Sequence, residues 1–596
     1  MTSLTQRARS IAIITLAWLI LQIGGLFSPG LLDDVDSIYI EVAREMLHRH
    51  NFVTPYIDGI RFFDKPPLMY WLAAASMRLF GEVAWAARLP LALAVLALLL
   101  SFYVLGRHLY TERAALYATL AFATAVGPYL YTRFFIPDIL ICLWMTLGVH
   151  SFLLALEGDT PKKRLVPTLT FGATLALNLL TKGLIGLVFP IAFVLLYLAI
   201  TRQFRRVLEL PLFSALATFL IIALPWHILA ALRNPAIAMP SNLGLPAHAG
   251  WAWFYLYNEH IARFLGRRIP HDYGQTPVWL FWLYAVIWML PWAAFLPALA
   301  KLRKSSETKT LVPTLWALIV LIFFTLSSRQ EYYSLPALPA VALLIGVALA
   351  EPRTTRAVLL CHRWLLLPLS IAIAAVCAWF AITAPHPAPG TDLSSLLAQN
   401  PELYNLSLGH LFDLTGAAMG IFRGPLVVVT VGMLTVGPAS YALRRRACSH
   451  AANLTLAAGA ILCLLAAHEG LVRFNPILGS KDLADSILQY QKANPAPQDL
   501  ILLDGELTSG STLLFYTRQP VHLVNGRVNG PWFGSFWPDS PQIFEDEQSL
   551  RALWHGPQRI FLLTYNPTIR LRELSPLAPA THPIASTGGK TILTNQ

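Results

Sequence analysis

Apolar runs of about 20 residues recur along most of this chain, each long enough to cross a bilayer as one helix. Thirteen spans are predicted, near 11–27, 85–106, 113–131, 136–156, 165–181, 183–200, 207–230, 277–299, 311–327, 334–350, 363–383, 424–443 and 453–470. Only 13% of the 596 residues are charged and the mean hydropathy is +0.56, whereas a soluble domain carries about a quarter charged residues. The loops add a second constraint. Arg107–Arg113, Lys162–Arg164, Arg202–Arg206, Lys301–Lys309, Arg353–Arg363 and Arg444–Arg446 fall on one side of the count with Arg7 and Arg9. The positive-inside rule makes that side cytoplasmic. A cleaved signal peptide is the alternative for the first segment, but no small-x-small site follows it, so an uncleaved helix is expected. The five cysteines have no metal-ligand spacing and read as core residues.

The organisation predicted is an α-helical polytopic membrane domain over residues 1–470, with an outer loop at 28–84, and a soluble α/β domain over 471–596. Beyond Leu471 ten basic residues balance ten acidic ones, so the whole net charge of +12 lies in the membrane part. An excess there points to lipid head groups or lipid phosphates, not nucleic acid. In the tail, Ser480–Lys492 reads as a helix, and Leu500–Leu503, Leu513–Tyr516, Val521–Val524 and Ile560–Thr564 read as strands. No glycine-rich phosphate loop follows the Leu502–Gly505 strand end, so the plain reading is a packing or acceptor-docking domain.

The chemistry concentrates on the outer side. The loop at 28–84 carries Asp33, Asp34, Asp36, Glu41, Glu45, Asp58 and Asp64, with Lys65 in the run FDKPP. A carboxylate at a membrane edge can serve as general base, and crowding raises the pKa of neighbouring acids. The plain alternative is a cap, with Asp36 and Ser37 starting a helix near Ile38. Lys65 can hold a phosphate or simply snorkel beside Asp64. Asp138 lies near hydrocarbon, with Arg133 its expected partner, and Lys182 sits in a short outer turn. Farther along, Glu259, His260, Arg263, Arg267 and Arg268 fall close together, with Glu259, Arg263 and Arg267 at i+4 steps. His260 is a candidate metal ligand or base-orienting group, and the arginines can bind an anionic phosphate in a fork or attract head groups in general. Tyr333 can donate to a phosphate or sit in an aromatic belt. Asp34, Lys65, Asp138, Lys182, His260, Arg267 and Tyr333 come from five different outer loops, which points to one outer site that handles an anion.

DDVDSIYIEVAREML, NFVTPYIDGIRFFDKPPLMYW, NEHIARFL and YYSLPALPA resemble polyprenyl-phosphate-dependent glycosyltransferases of the GT-C type. These are the superfamily of the protein O-mannosyltransferases and, nearest in pattern, the lipid A aminoarabinose transferases. The resemblance covers roughly the first 350 residues. It implies a sugar donor linked to undecaprenyl phosphate and inverting transfer on the periplasmic face of the inner membrane. The acceptor implied is lipid A or another envelope glycolipid. An aspartate of the first loop would act as base or orient the acceptor, and Asp138 would be a second acidic position. Lys65, Arg263 or Arg267, and Tyr333 would hold the lipid phosphate, with Lys182 added from its place on the outer side. Asp64 and His260 match positions that look like ligands of a divalent metal, zinc being the expected ion. The chain departs from the aminoarabinose pattern in two places: no arginine precedes Tyr39, and Asp64 stands where a glutamate is usual. The register of the catalytic aspartate is open between Asp34 and Asp36, with Asp34 preferred because Asp36 suits the cap. The alternatives are a protein O-glycosyltransferase of the same fold and, from another class, a lipid-linked sugar flippase or transporter. The sequence shows neither the charged mid-membrane path of a flippase nor the repeated halves of a transporter.

Overall fold

The computed structural model describes residues 2–271, 275–302, 307–397, 414–578 and 580–596. Arg303 and Lys304 of the basic 301–309 loop, and much of the 384–423 loop, lie outside the described residues. Each of the thirteen apolar segments lies on helix. Seven of these helices are long and apolar enough to cross a membrane unbroken: Leu4–Phe27, Ala84–Leu109, Asp138–Glu157, Leu212–Arg233, Pro352–Thr383, Arg423–Arg445 and Ser449–Leu478. Ile185–Thr201, Thr310–Leu326 and Leu335–Ala350 are shorter apolar helices beside them. Phe213, Ile221, Trp379 and Ile382 stand exposed on the outside of this array. So much bare apolar surface suits lipid and not water. The chain is a multi-pass membrane protein.

Two predicted spans are broken. Segment 113–131 is interrupted between Glu112–Ala123 and Val126–Leu130. Segment 277–299 bends by 98° between Val278–Ile287 and Trp292–Lys301. The breaks satisfy one another: the Val126 N–H donates to the Leu290 carbonyl at 3.1 Å and the Gly127 N–H to the Trp288 carbonyl at 2.8 Å. Irregular backbone at membrane depth is tolerable only when protein pairs it in this way.

The outer loop folds as Val35–His48, the short hairpin β1 (Tyr56–Ile57) and β2 (Ile60–Arg61), and Leu68–Phe80. Ile38, Val42 and Met46 recur at helical spacing and are buried, and Pro66–Pro67 starts the second helix. Two further strands, β3 (Ile237–Ala238) and β4 (His248–Ala249), pair in the loop after Leu212–Arg233.

The tail carries β5 (Asp499–Asp504), β6 (Val521–Val524), β7 (Phe544–Glu545), β8 (Arg559–Thr564), β9 (His582–Thr587) and β10 (Lys590–Thr594), in the spatial order β7-β6-β5-β8-β10-β9. β5 runs parallel to both β6 and β8, while β10 is antiparallel to β8 and β9. The run Leu513–Tyr516, expected as a strand, lies in a helix, Thr512–Thr517. Parallel neighbours need a crossover between them, and these residues supply it between β5 and β6.

The tail is locked to the outer loop. Asp33 accepts from Lys590 Nζ at 2.7 Å, Ser480 Oγ at 2.8 Å and Thr512 Oγ1 at 2.7 Å. Arg44 donates to the carbonyls of Leu514 and Phe515, and Arg61 forms a 2.7 Å ion pair with Asp539.

Candidate active site

A cavity of about 830 Å³ opens between the outer loop, the ends of several membrane helices and the C-terminal domain. Asp34, Asp64, Lys65, Asp138, Lys182, His260, Arg263 and Tyr333 all line it. Of the seven residues read as converging from the outer loops, Asp34, Lys65, Asp138, Lys182, His260 and Tyr333 line it together and Arg267 does not.

The three first-loop aspartates divide. Asp33 holds the tail, as described. Asp36 is fully buried and accepts from Arg88 Nη2 at 2.5 Å, the Phe135 N–H at 2.9 Å and the Leu32 N–H at 3.0 Å. It ties the loop to the membrane helices and lies outside the cavity, so it is neither the expected cap nor a group that can reach a substrate. Asp34 remains. Its backbone sits at φ +69°, ψ −139°, a strained setting for a residue with a Cβ. The Asp34 N–H donates to Ser511 Oγ at 2.8 Å, which helps hold that geometry and leaves the carboxylate facing the cavity. Burial, then the negative charges of Glu506, Asp64 and Asp33, push its pKa up to about 7. An aspartate with that pKa is a good proton acceptor near neutral pH.

The cations stand in pairs. Lys65 Nζ lies 2.8 Å from Asp64 Oδ2, which also accepts from Tyr39 Oη at 2.7 Å. Burial works against the charged form of Asp64, but Lys65, Arg268 and Arg263 outweigh it and hold the carboxyl well below its ordinary range. Lys182 Nζ lies 2.6 Å from Asp138 Oδ1 and over the rings of Tyr333 and Tyr332, at 4.8 and 5.5 Å. Asp138 Oδ2 is buried with no partner among the described residues, an acceptor left for a ligand's O–H or N–H. The partner expected for Asp138 was Arg133. Arg133 turns instead toward Gln22 and lies 4.7 Å from the Tyr129 ring, because the turn before Pro137 points it back at the first helix.

Glu259 gathers Arg263 at 3.0 Å and Arg268 at 2.6 Å. Arg267, predicted from i+4 spacing, is exposed and outside the cavity. The helix it was placed on ends first: Trp253–Ala262 is wound as a π-helix, and the chain turns at Gly266, φ +69°. The turn brings Arg268 back to Glu259 and sends Arg267 outward. Sequence reasoning also missed Glu506 and Asn529, which reach the cavity from the C-terminal domain. No local signal marks them, because their place depends on how that domain docks.

The metal expectation meets a poor donor set. His260 Nδ1 lies 2.5 Å from the Tyr255 carbonyl, and Nε2 accepts the Leu184 N–H at 2.9 Å. Burial holds the ring below its ordinary pKa, so it is a neutral imidazole with both nitrogens in use. Among the described residues no group of three His, Cys, Asp or Glu side chains is placed to hold an ion. Asp64 and His260 as they stand are a poor fit to a divalent ion, with His260 engaged at both nitrogens and Asp64 paired to Lys65 and Tyr39.

The cavity thus lies between the ends of membrane-type helices, the outer loop and a small α/β domain. Residues 64–229 match the model of the dolichyl-phosphate-mannose-protein mannosyltransferase family. The undecaprenyl phosphate-α-4-amino-4-deoxy-L-arabinose arabinosyl transferases of Yersinia enterocolitica and Pseudomonas fluorescens are each 29% identical to it, over 52% and 56% of this chain. The chain spans about half the length of these relatives, 54% and 56%. The crystal structure of ArnT from Cupriavidus metallidurans bound to undecaprenyl phosphate is alike over 99% of this chain and 98% of that one, with a TM-score of 0.75 and 23% identity.

Proposed function

We propose that this protein is an inverting membrane glycosyltransferase. It takes a sugar from undecaprenyl phosphate and passes it to lipid A or another envelope glycolipid, on the periplasmic side of the inner membrane. The observation that carries the reading is that a single cavity is lined by Asp34 together with Lys65, Lys182, Arg263 and Arg268. The lipid phosphate lies among the cations and the polyprenyl chain stays in hydrocarbon. The acceptor attacks the anomeric carbon from the face opposite the phosphate. Asp34 removes or orients the acceptor's proton. The bond from the anomeric carbon to the phosphate oxygen breaks, and the lipid phosphate leaves with an added negative charge. Cations already fixed around that oxygen stabilise the charge as it forms. The alternating basic loops support the periplasmic placement, and the relatives' names make aminoarabinose the first donor sugar to try.

The test is transfer in vesicles holding the purified protein, undecaprenyl phosphate-aminoarabinose and lipid A. Wild-type protein is expected to release undecaprenyl phosphate and add an aminopentose to the acceptor, both read by mass spectrometry. Asp34→Asn and Lys65→Ala are expected to abolish transfer while folding normally. Wild-type turnover in either variant would remove that residue from the site. Transfer to another glycolipid, or to protein, would keep the chemistry and change the acceptor.

A further inference from the structure

The transferase reading accounts for the cations and for Asp34, but not for the wall built by the C-terminal domain. The strand order puts β6 on one side of β5 and β8 on the other. The chain leaves β5 toward β6 and later returns to β8, so the order reverses beside β5. Open α/β sheets bind ligands outside the carboxyl ends of their strands at such a reversal. That edge is turned toward the membrane domain here. Glu506 and Thr508 follow β5, Asn529 and Gly530 follow β6, and all four line the cavity.

Their placement relative to Asp34 is fixed. Ser511, on the same connection as Glu506, accepts the Asp34 N–H and lies 2.7 Å from Ser37 Oγ. Gly530 packs so closely on the Phe62 ring that a Cβ there would come within 2.8 Å of it. Asn529 Nδ2 donates to Glu506 Oε2 at 2.7 Å, which orients the carboxylate and the amide together. A carboxylate and an amide beside each other are hydrogen-bonding groups suited to sugar hydroxyls or an amine. They repel or ignore a phosphate, which the lysines and arginines elsewhere in the cavity attract.

We infer that Glu506 and Asn529 are specificity-determining residues that bind the hydroxyl or amine edge of a sugar in the reacting complex. This rests on the transferase reading, and it assigns the C-terminal domain a part in substrate recognition beyond docking. Both substrates carry sugars, so the shared chemistry is a polar pyranose edge, and the experiment separates the sources.

Initial rates are measured in vesicles with donor and acceptor varied separately, for the full-length protein, Glu506→Gln and Asn529→Ala. Each variant is expected to raise one substrate's KM on the order of tenfold, the scale of one hydrogen bond to a charged group, with the larger share of the loss in KM and not kcat. A shift in donor KM assigns the transferred sugar; a shift in acceptor KM assigns the glycolipid. Affinity for undecaprenyl phosphate without a sugar is expected to match wild type, and this keeps the inference testable if one variant folds poorly. Unchanged KM for both substrates, a loss confined to kcat, or equal weakening of sugar-free lipid phosphate overturns it. Absence of transfer by the wild-type protein would instead defeat the transferase reading.

Discussion

Lys182→Met separates the two tasks that one lysine can perform in this site. The side chain keeps much of its length and loses its charge. In the native protein Lys182 Nζ lies 2.6 Å from Asp138 Oδ1, with side-chain exposures of 11% and 2%. Removing one member of so dry a pair leaves an uncompensated buried charge, which costs about 3–5 kcal/mol. Loss of the cation over the Tyr332 and Tyr333 rings adds roughly 1 kcal/mol. The variant is therefore expected to unfold well below wild type in a fluorescence melt. The second task is catalytic. A preorganised donor aimed at the leaving phosphate is worth about 100- to 1000-fold in rate. The double variant Lys182→Met with Asp138→Asn tells the tasks apart, because the amide carries no charge to strand. It is expected to regain most of the lost melting temperature and none of the lost transfer rate. Transfer restored along with stability would refute the reasoning and reduce Lys182 to a counter-ion.

Other outcomes follow from the same geometry. Asp36→Asn breaks a buried pair with Arg88 outside the cavity and is expected to lower stability by about 3–5 kcal/mol, while each folded molecule keeps its transfer rate; Asp34→Asn is expected to do the reverse. The pH profile has a definite sign: with the Asp34 pKa pushed up to about 7, the base form grows as pH rises. The rate is expected to climb about tenfold per pH unit below that value and level off above it, and a flat profile between pH 5 and 8, roughly, would exclude Asp34 as the base. Stability runs the other way: it is highest below the ordinary carboxylate range, falls as pH rises from there toward about 7, and levels off above, because in that window the folded state holds protons on Asp34 and Glu41 that the unfolded chain has released. Dialysis against a chelator is expected to leave transfer unchanged, since both ring nitrogens of His260 are engaged by backbone; abolished transfer restored by zinc would show that the site rearranges around an ion. Gly183→Ala is expected to impair transfer, because at φ +81° a Cβ would lie 2.2 Å from His260 Nε2 and displace the ring from the Leu184 N–H.

The membrane character of the chain was legible because hydrocarbon thickness sets a length that the sequence must show. The convergence of the outer loops was legible because loop charge reports sidedness. Neither rule reaches inside a loop. Asp33, Asp34 and Asp36 stand within four residues, and their neighbours in sequence do not separate them. Partners far along the chain do: Ser480, Thr512 and Lys590 take Asp33, and Arg88 takes Asp36. Arg267 and Arg268 are adjacent, and the choice between them depends on where a π-wound helix stops. The strand-like run at 513–516 shows the same limit. Four apolar residues fit a strand or one helical turn equally well, and the need for a crossover between parallel strands decided it.

The pairing of the cavity's cations bears on how the site can work. Lys65, Lys182, Arg263 and Arg268 face three carboxylates, Asp64, Asp138 and Glu259. Four isolated cations beside a membrane would be costly to bury, and each pairing lowers that cost before any substrate is bound. The carboxylates also limit how tightly a phosphate is held, because an arriving anion shares each cation with an acid already in contact. In the proposed reaction that limit affects the two stages differently. A donor phosphodiester has one negative charge and gains little from cations already half neutralised. The departing lipid phosphate has an additional charge at one oxygen, where the same cations act most strongly. Paired cations thus favour the charge that develops in the transition state over the charge present in the ground state, which is the condition for raising rate and not merely affinity.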